Sequence, residues 1–159
     1  FLSLFCDIQP AFVASDMNMA EKRLGAKRLS WAYSWRSLLQ EGLTVSASSD
    51  APVEDVNPWH AVRHLMDRSG VDGKEVFRPE ERLSLEEALP LFTSNPWKSL
   101  GLGDFCGRLA PGYAADLVIL DRNISGASGK DLTPVSPSYV FSGGVLSKGS
   151  LEDWPRFEQ

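Results

Sequence analysis

Asp50 closes the run Leu43-Thr44-Val45-Ser46-Ala47-Ser48-Ser49-Asp50-Ala51-Pro52, in which an apolar, β-branched stretch gives way to small residues and then to one carboxylate. Pro52 lacks an amide donor and stops the strand. A carboxylate at the C-terminal lip of a buried strand can hold a water or a metal ion and move protons, and α/β enzymes keep their chemistry at that end of the sheet. A turn or helix-capping aspartate occupies the same kind of position, so the local pattern leaves both readings open. Gln9, at the end of the apolar run 2–8, is a second polar group at a strand end. It suits a substrate contact or a hydrogen bond that finishes the strand. Glu54 and Asp55 follow Asp50 in the same loop and suit either a substrate cleft or the positive end of the next helix. His60 and His64 are four residues apart and share one helical face. They read as surface or packing histidines. Cys6 and Cys106 form no Cys-x-x-Cys pair and read as structural thiols of a reducing, cytoplasmic compartment, although a disulfide between them stays open.

The elements that must position these groups follow from the spacing. The run 2–8 reads as a buried strand ended by Pro10, and Asp16 reads as the cap of a helix from Met17 to Leu24 that stops at Gly25. Residues 30–42 read as one helix, with Trp31, Trp35, Leu38 and Leu39 on its apolar face and Gly42 as its stop. The strand 43–48 follows. Asn57 caps, and Pro58 opens, the helix that carries His60 and His64. Strand, helix, strand, helix with short links implies parallel strands with helices outside. Residues 69–83 read as an exposed polar loop. Ser84 and Glu87 form a capping box for a helix with Leu85, Ala88, Leu89 and Phe92 on one face and Pro90 inside it. Ser94-Asn95-Pro96 starts another helix, which Gly101 and Gly103 end. From about residue 104 the pattern changes to a Pro111-Gly112 turn, a strand over 115–121, a loop over 122–138 and a hairpin around Gly143-Gly144.

The totals fit this picture. The 159 residues are 43% hydrophobic and 23% charged, a globular composition with a net charge of −5. No basic patch suits a nucleic acid. No apolar run approaches the roughly 20 residues of a membrane span. The chain opens on Phe1 without an initiating methionine, and the expectation is that it is a piece of something longer. The Asn123-Ile124-Ser125 sequon reads as chance, since no export signal accompanies it.

Six motifs in order resemble the C-terminal part of the amidohydrolase superfamily, in its amidohydrolase 3 (YtcJ-like) branch of metal-dependent hydrolases. Asp7-Ile8-Gln9-Pro10 with Ser15-Asp16 looks like that family's seventh strand. Leu24-Gly25 with Trp35-Arg36-Ser37-Leu38-Leu39 resembles the helix before its eighth. Ser49-Asp50-Ala51-Pro52 with Asn57-Pro58 resembles the turn after the eighth strand. Glu87-Ala88-Leu89 with Phe92-Thr93 looks like the helix leading out of the barrel. The segment from Gly107 through Pro111-Gly112 to Ala115-Asp116-Leu117-Val118-Ile119-Leu120-Asp121 is the most specific match, and Gly143-Gly144 fits the final hairpin. Ser48 stands where glycine is common, Tyr113 where lysine is common, and Ser142 where threonine is usual.

The resemblance implies an α/β chain made of strands 7 and 8 of a (β/α)8 barrel over residues 1–103 and part of a composite β-sandwich over 104–159. It implies a hydrolase of non-peptide carbon–nitrogen bonds with a divalent metal, zinc above all. Asp50 then matches the strand 8 aspartate that binds the metal and shuttles the proton, and Gln9 becomes a substrate contact. The family's metal-binding histidines would precede residue 1. The expected partners are a small amide-type substrate and either the missing N-terminal barrel portion or an oligomer mate, with the segment inactive alone. A stand-alone, non-catalytic interaction module reusing the fold is the alternative, and an unrelated α/β protein with Asp50 as a cap is a third reading.

Overall fold

In the computed structural model, which describes residues 4–150, the runs leading to Gln9 and Asp50 lie side by side as parallel strands. These are β1 (Phe5–Ile8) and β2 (Thr44–Ala47). Residues 2 and 3 of the expected first strand lie outside the described residues. The register pairs Phe5 with Thr44, Cys6 with Val45, Asp7 with Ser46 and Ile8 with Ala47. One more bond, from the Ser48 amide to the Ile8 carbonyl at 3.0 Å, extends the pairing toward Asp50. Alternation sorts the faces. Ile8 and Val45 are buried under the helices, with Cys6 and Ala47 packed beside them. Phe5, Asp7, Thr44 and Ser46 therefore take the opposite face.

Three helices connect the strands: α1 (Phe12–Leu24), α2 (Ala26–Leu29) and α3 (Trp35–Gln40). The first starts upstream of its expected origin. Val13, Met17 and Ala20 extend its apolar face, and its first amides bond to the carbonyls of Gln9, Pro10 and Ala11 with no side-chain cap. Asp16 thus lies inside the helix, where its carboxylate accepts the Tyr33 hydroxyl at 2.5 Å. The single helix expected over 30–42 is also interrupted. Tyr33 takes a positive φ of 53°. Arg78 donates to the Ala32 carbonyl at 2.7 Å and Arg68 to the Tyr33 carbonyl at 3.1 Å, so both carbonyls are withdrawn from helical bonding. The break parts the two tryptophans: Trp35 is 4% exposed and Trp31 is 82% exposed.

α4 (Pro58–Asp67) begins as its sequence requires, with the Asn57 side chain accepting from the Trp59 amide at 3.1 Å and Pro58 in the first turn. It ends at Arg68, which is left-handed and fully buried. That guanidinium decides the next stretch, because a buried charge needs acceptors. It stacks on Trp35 with its carbon 4.7 Å from the ring centre, and its Nε donates to the Phe77 carbonyl at 2.7 Å. Residues 69–83, expected as an exposed loop, accordingly fold back onto the core. Ser69 bridges Val76, and Phe77, Glu81 and Leu83 are buried. Glu81 sits in a 3-10 turn (Pro79–Glu81) and accepts three hydrogen bonds, from the Ser37 amide at 3.0 Å, the Ser37 hydroxyl at 2.5 Å and Arg78 at 3.2 Å. It caps the start of α3 from outside, since Ser34 at that start makes no cap of its own.

α5 (Leu85–Phe92) carries the capping box: the Ser84 hydroxyl accepts the Glu87 amide at 3.2 Å, and Glu87 accepts the Ser84 amide at 2.8 Å. Pro90 lies within it. α6 (Ser94–Ser99) follows, and buried Asn95 donates to the Val45 carbonyl at 2.9 Å, which ties this helix to β2. The last third is antiparallel: β3 (Leu117–Leu120), β4 (Pro137–Ser142) and β5 (Val145–Lys148), in the order β3-β4-β5. Gly112 has φ 89°, and the Tyr113 amide closes the Pro-Gly turn on the Ala110 carbonyl at 3.1 Å. Gly143 and Gly144 both have positive φ, as a two-residue hairpin of this type demands. A short helix, α7 (Gly129–Leu132), interrupts the stretch read as loop and packs on α4. Its Leu132, with Val135, joins the same core as Val45 and Leu65. Among the described residues no helix is long and apolar enough to cross a membrane.

Candidate functional site

The parallel pair puts Gln9 and Asp50 at the same, C-terminal end of β1 and β2. Asp50 is exposed and left-handed, with φ 56°. That conformation is uncommon for a residue with a side chain, although aspartate and asparagine tolerate it best. It is held by the Val53 amide, which donates to the Asp50 carbonyl at 2.8 Å, and by the Ala51 amide, which donates to the Ser49 hydroxyl at 3.2 Å. The Ala51–Pro52 peptide is cis. The two hydrogen bonds pin the backbone while the side chain is exposed.

The rest of the loop is tied down elsewhere. Glu54 accepts the Ser15 hydroxyl at 3.4 Å, which links the loop to the first turns of α1. Asp55 is committed to the start of α4: one oxygen accepts the Asn57 amide at 2.8 Å and the other lies 3.4 Å from His60 Nδ1. Gln9 is half-buried, and its carbonyl accepts the Phe12 amide at 3.3 Å. Its side chain is the next polar group after Asp7 on that face of β1. Asp7, which the sequence shows only as part of an apolar run and a family motif, faces the same side. Its carboxylate accepts the hydroxyl of Ser46, its direct cross-strand partner. The signal that finds it is the period of two, which places Asp7 and Gln9 on one side.

Cys6 and Cys106 are free and half-buried. His60 is occupied with Asp55, and His64 lies half-buried with its Nδ1 unpartnered. Burial lowers the His64 pKa below its ordinary 6.5, Arg63 and His60 add to that, and Asp67 opposes it. Among the described residues no three His, Cys, Asp or Glu side chains converge on a point that could hold a metal ion. Asp50 is at most one donor of such a centre.

The depressed His64 pKa has a consequence for stability. Below 6.5 the unfolded chain binds a proton that the folded chain refuses. Stability therefore falls as pH drops through 6.5 toward the folded pKa and levels off beneath it. The slope in that window reaches at most about 1.4 kcal/mol per pH unit. Urea midpoints measured from pH 7 downward should show this decline in the native chain and a flatter profile in His64→Gln. Identical profiles would contradict it.

Comparison with known proteins adds a family. The family described as "Amidohydrolase family" matches residues 2–147. "Protein LONG AFTER FAR-RED 3" of Arabidopsis thaliana is 32% identical over 141 residues, covering 87% of this chain and 24% of that protein. "Putative amidohydrolase YtcJ" of Bacillus subtilis (strain 168) is 33% identical over 116 residues, covering 72% of this chain and 22% of that protein. Among solved structures, an uncharacterized metal-dependent hydrolase from Pyrococcus horikoshii OT3 superposes with a TM-score of 0.70 at 27% identity, over 80% of this chain and 26% of that one. The chain therefore spans about a quarter of the length of these relatives.

Proposed function

Because this chain belongs to the amidohydrolase family, in its YtcJ-like branch, we propose that it forms one portion of a metal-dependent hydrolase acting on non-peptide carbon–nitrogen bonds. The observation that carries the proposal is the placement of Asp50, an exposed carboxylate on a pinned left-handed backbone at the C-terminal end of two parallel strands. In this reading β1 and β2 are strands 7 and 8 of a (β/α)8 barrel within residues 1–103, and residues 104–159 belong to a β-sandwich. The helical crossover between parallel neighbours supports the first part, and the antiparallel sheet of β3, β4 and β5 supports the second.

Asp50 acts here as general base and then general acid. Its carboxylate takes a proton from the attacking water and returns it to the leaving nitrogen. Gln9 holds the substrate's amide group from the neighbouring strand end. A divalent metal, zinc by the family's habit, is part of the proposal for the whole enzyme. The donors among the described residues do not make its site. The remaining donors come from a barrel portion outside this chain or from an oligomer mate. That portion would also cover the open face of β1, where Phe5 is 47% exposed. The whole assembly would work in the cytoplasm on a small amide.

Zinc titration of the purified 159-residue chain, followed by calorimetry, tests the division of labour. The expected result is no tight stoichiometric binding and no turnover of an N-acyl amine. Tight one-to-one binding accompanied by hydrolysis would overturn it.

A further inference from the structure

We infer that the pocket at the end of β1 is a binding site for an organic cation, a substituted ammonium group carried by a small molecule. The pocket encloses about 430 Å³. β1 contributes Asp7 and Gln9, α1 contributes Phe12 and Asp16, and the break before α3 contributes Trp31 and Tyr33. With Trp35 at the start of α3, two carboxylates thus meet four aromatic side chains, and no lysine, arginine or histidine lines the space. Arg68 stacks on Trp35 but is fully buried and is not part of the lining.

Among the described residues the two carboxylates accept hydrogen bonds from neutral side chains and join no ion pair. The donor to Asp7 is the Ser46 hydroxyl and the donor to Asp16 is the Tyr33 hydroxyl. Trp31 supplies the second half of the recognition. Its indole is 82% exposed and lines the pocket beside Asp16. An aromatic face beside carboxylates attracts a cation with a greasy skin, such as an alkylated ammonium, and repels anions. The volume suits a small organic molecule. A bare divalent ion would need more converging donors than the described residues offer here.

Gln9, which lines the pocket, lies at the same end of the strands as Asp50. An amine-bearing amide seated in it would have its charged end held while its amide lies toward the strand ends. That link to the reaction rests on the role proposed for Asp50. The binding itself stands on the pocket alone.

Choline is the probe, titrated into the purified chain with tryptophan fluorescence and calorimetry as readouts. The expected result is saturable one-to-one binding. Choline's uncharged isostere, with carbon in place of nitrogen, should bind about tenfold more weakly or worse. Trp31→Ala and Asp7→Asn should each weaken choline several-fold with unchanged thermal unfolding, since one side chain is exposed and the other substitution keeps an acceptor for Ser46. No saturable binding, equal affinity for the isostere, or indifference to both substitutions would overturn the inference. Any of these would leave the role of Asp50 standing, because that role is read from turnover by the whole enzyme.

Discussion

Replacing Asp50 with asparagine in the full-length hydrolase is expected to lower kcat by about 10²–10⁴-fold, the usual range for removing a general acid–base group. The substitution isolates the chemistry. Asparagine tolerates the left-handed backbone almost as well as aspartate does, and the bonds that hold the loop use backbone groups and the Ser49 hydroxyl, which remain. The melting temperature should therefore stay where it is. Alanine would be a poorer test, because at φ 56° it adds backbone strain of about 1 kcal/mol or more to any loss of function. A turn aspartate would behave differently: asparagine supports the same turn, and the rate would survive. Retention of more than a tenth of the native kcat, with an unchanged unfolding curve, would sink the proposed role.

The parts of the fold legible in the sequence are those decided within a few residues. Asn57-Pro58 and Ser84 with Glu87 satisfy helix-end amides locally, so the signal and the structure coincide. Gly143-Gly144 is similar, because the turn needs positive φ at both positions and glycine grants it. Asp50 stands out for the same reason, as a polar residue at the end of an apolar run. What escapes the sequence is settled by partners far along the chain. Whether 30–42 forms one helix depends on Arg68 and Arg78, which take the carbonyls of Tyr33 and Ala32. Whether 69–83 is a surface loop depends on the same buried Arg68, which draws Phe77 inward. Asp16 looks like a cap until Tyr33, seventeen positions away, claims its carboxylate. Asp7 is hidden by its apolar neighbours, and only pairing with Ser46 brings it forward. In each of these a long-range polar contact overrides a local preference.

Glu81 is the clearest of these contacts, and Glu81→Ala is expected to destabilise the chain by about 3–5 kcal/mol, the cost of breaking a buried charge pair from one side. Its side chain is 5% exposed and Arg78 is 15% exposed. Removing the carboxylate strips the Ser37 amide and hydroxyl of their acceptor and leaves the guanidinium of Arg78 with only the exposed Glu80 carboxylate as its anion. Arg68 feels the loss too, since Glu81 is the leading electrostatic influence that favours its charge against burial, and its Nη1 already lacks a partner. The surface pair Arg36–Glu87, with side chains 38% and 39% exposed, offers the contrast, because exposed pairs contribute about 0–1 kcal/mol. Glu81→Gln should fall between: one oxygen can still serve Ser37, but the buried one of the two carboxylates facing Arg78 is gone. Urea unfolding at neutral pH reads these values directly, and a loss under about 1 kcal/mol for the alanine variant would contradict them. The effect should also reach the strand that bears Asp50. Glu81 fixes the start of α3, and α3 runs through Gly42 straight into β2. Hydrogen exchange at Val45 and Ser46 should therefore quicken in Glu81→Ala more than in Arg36→Ala, even after each rate is corrected for the drop in global stability.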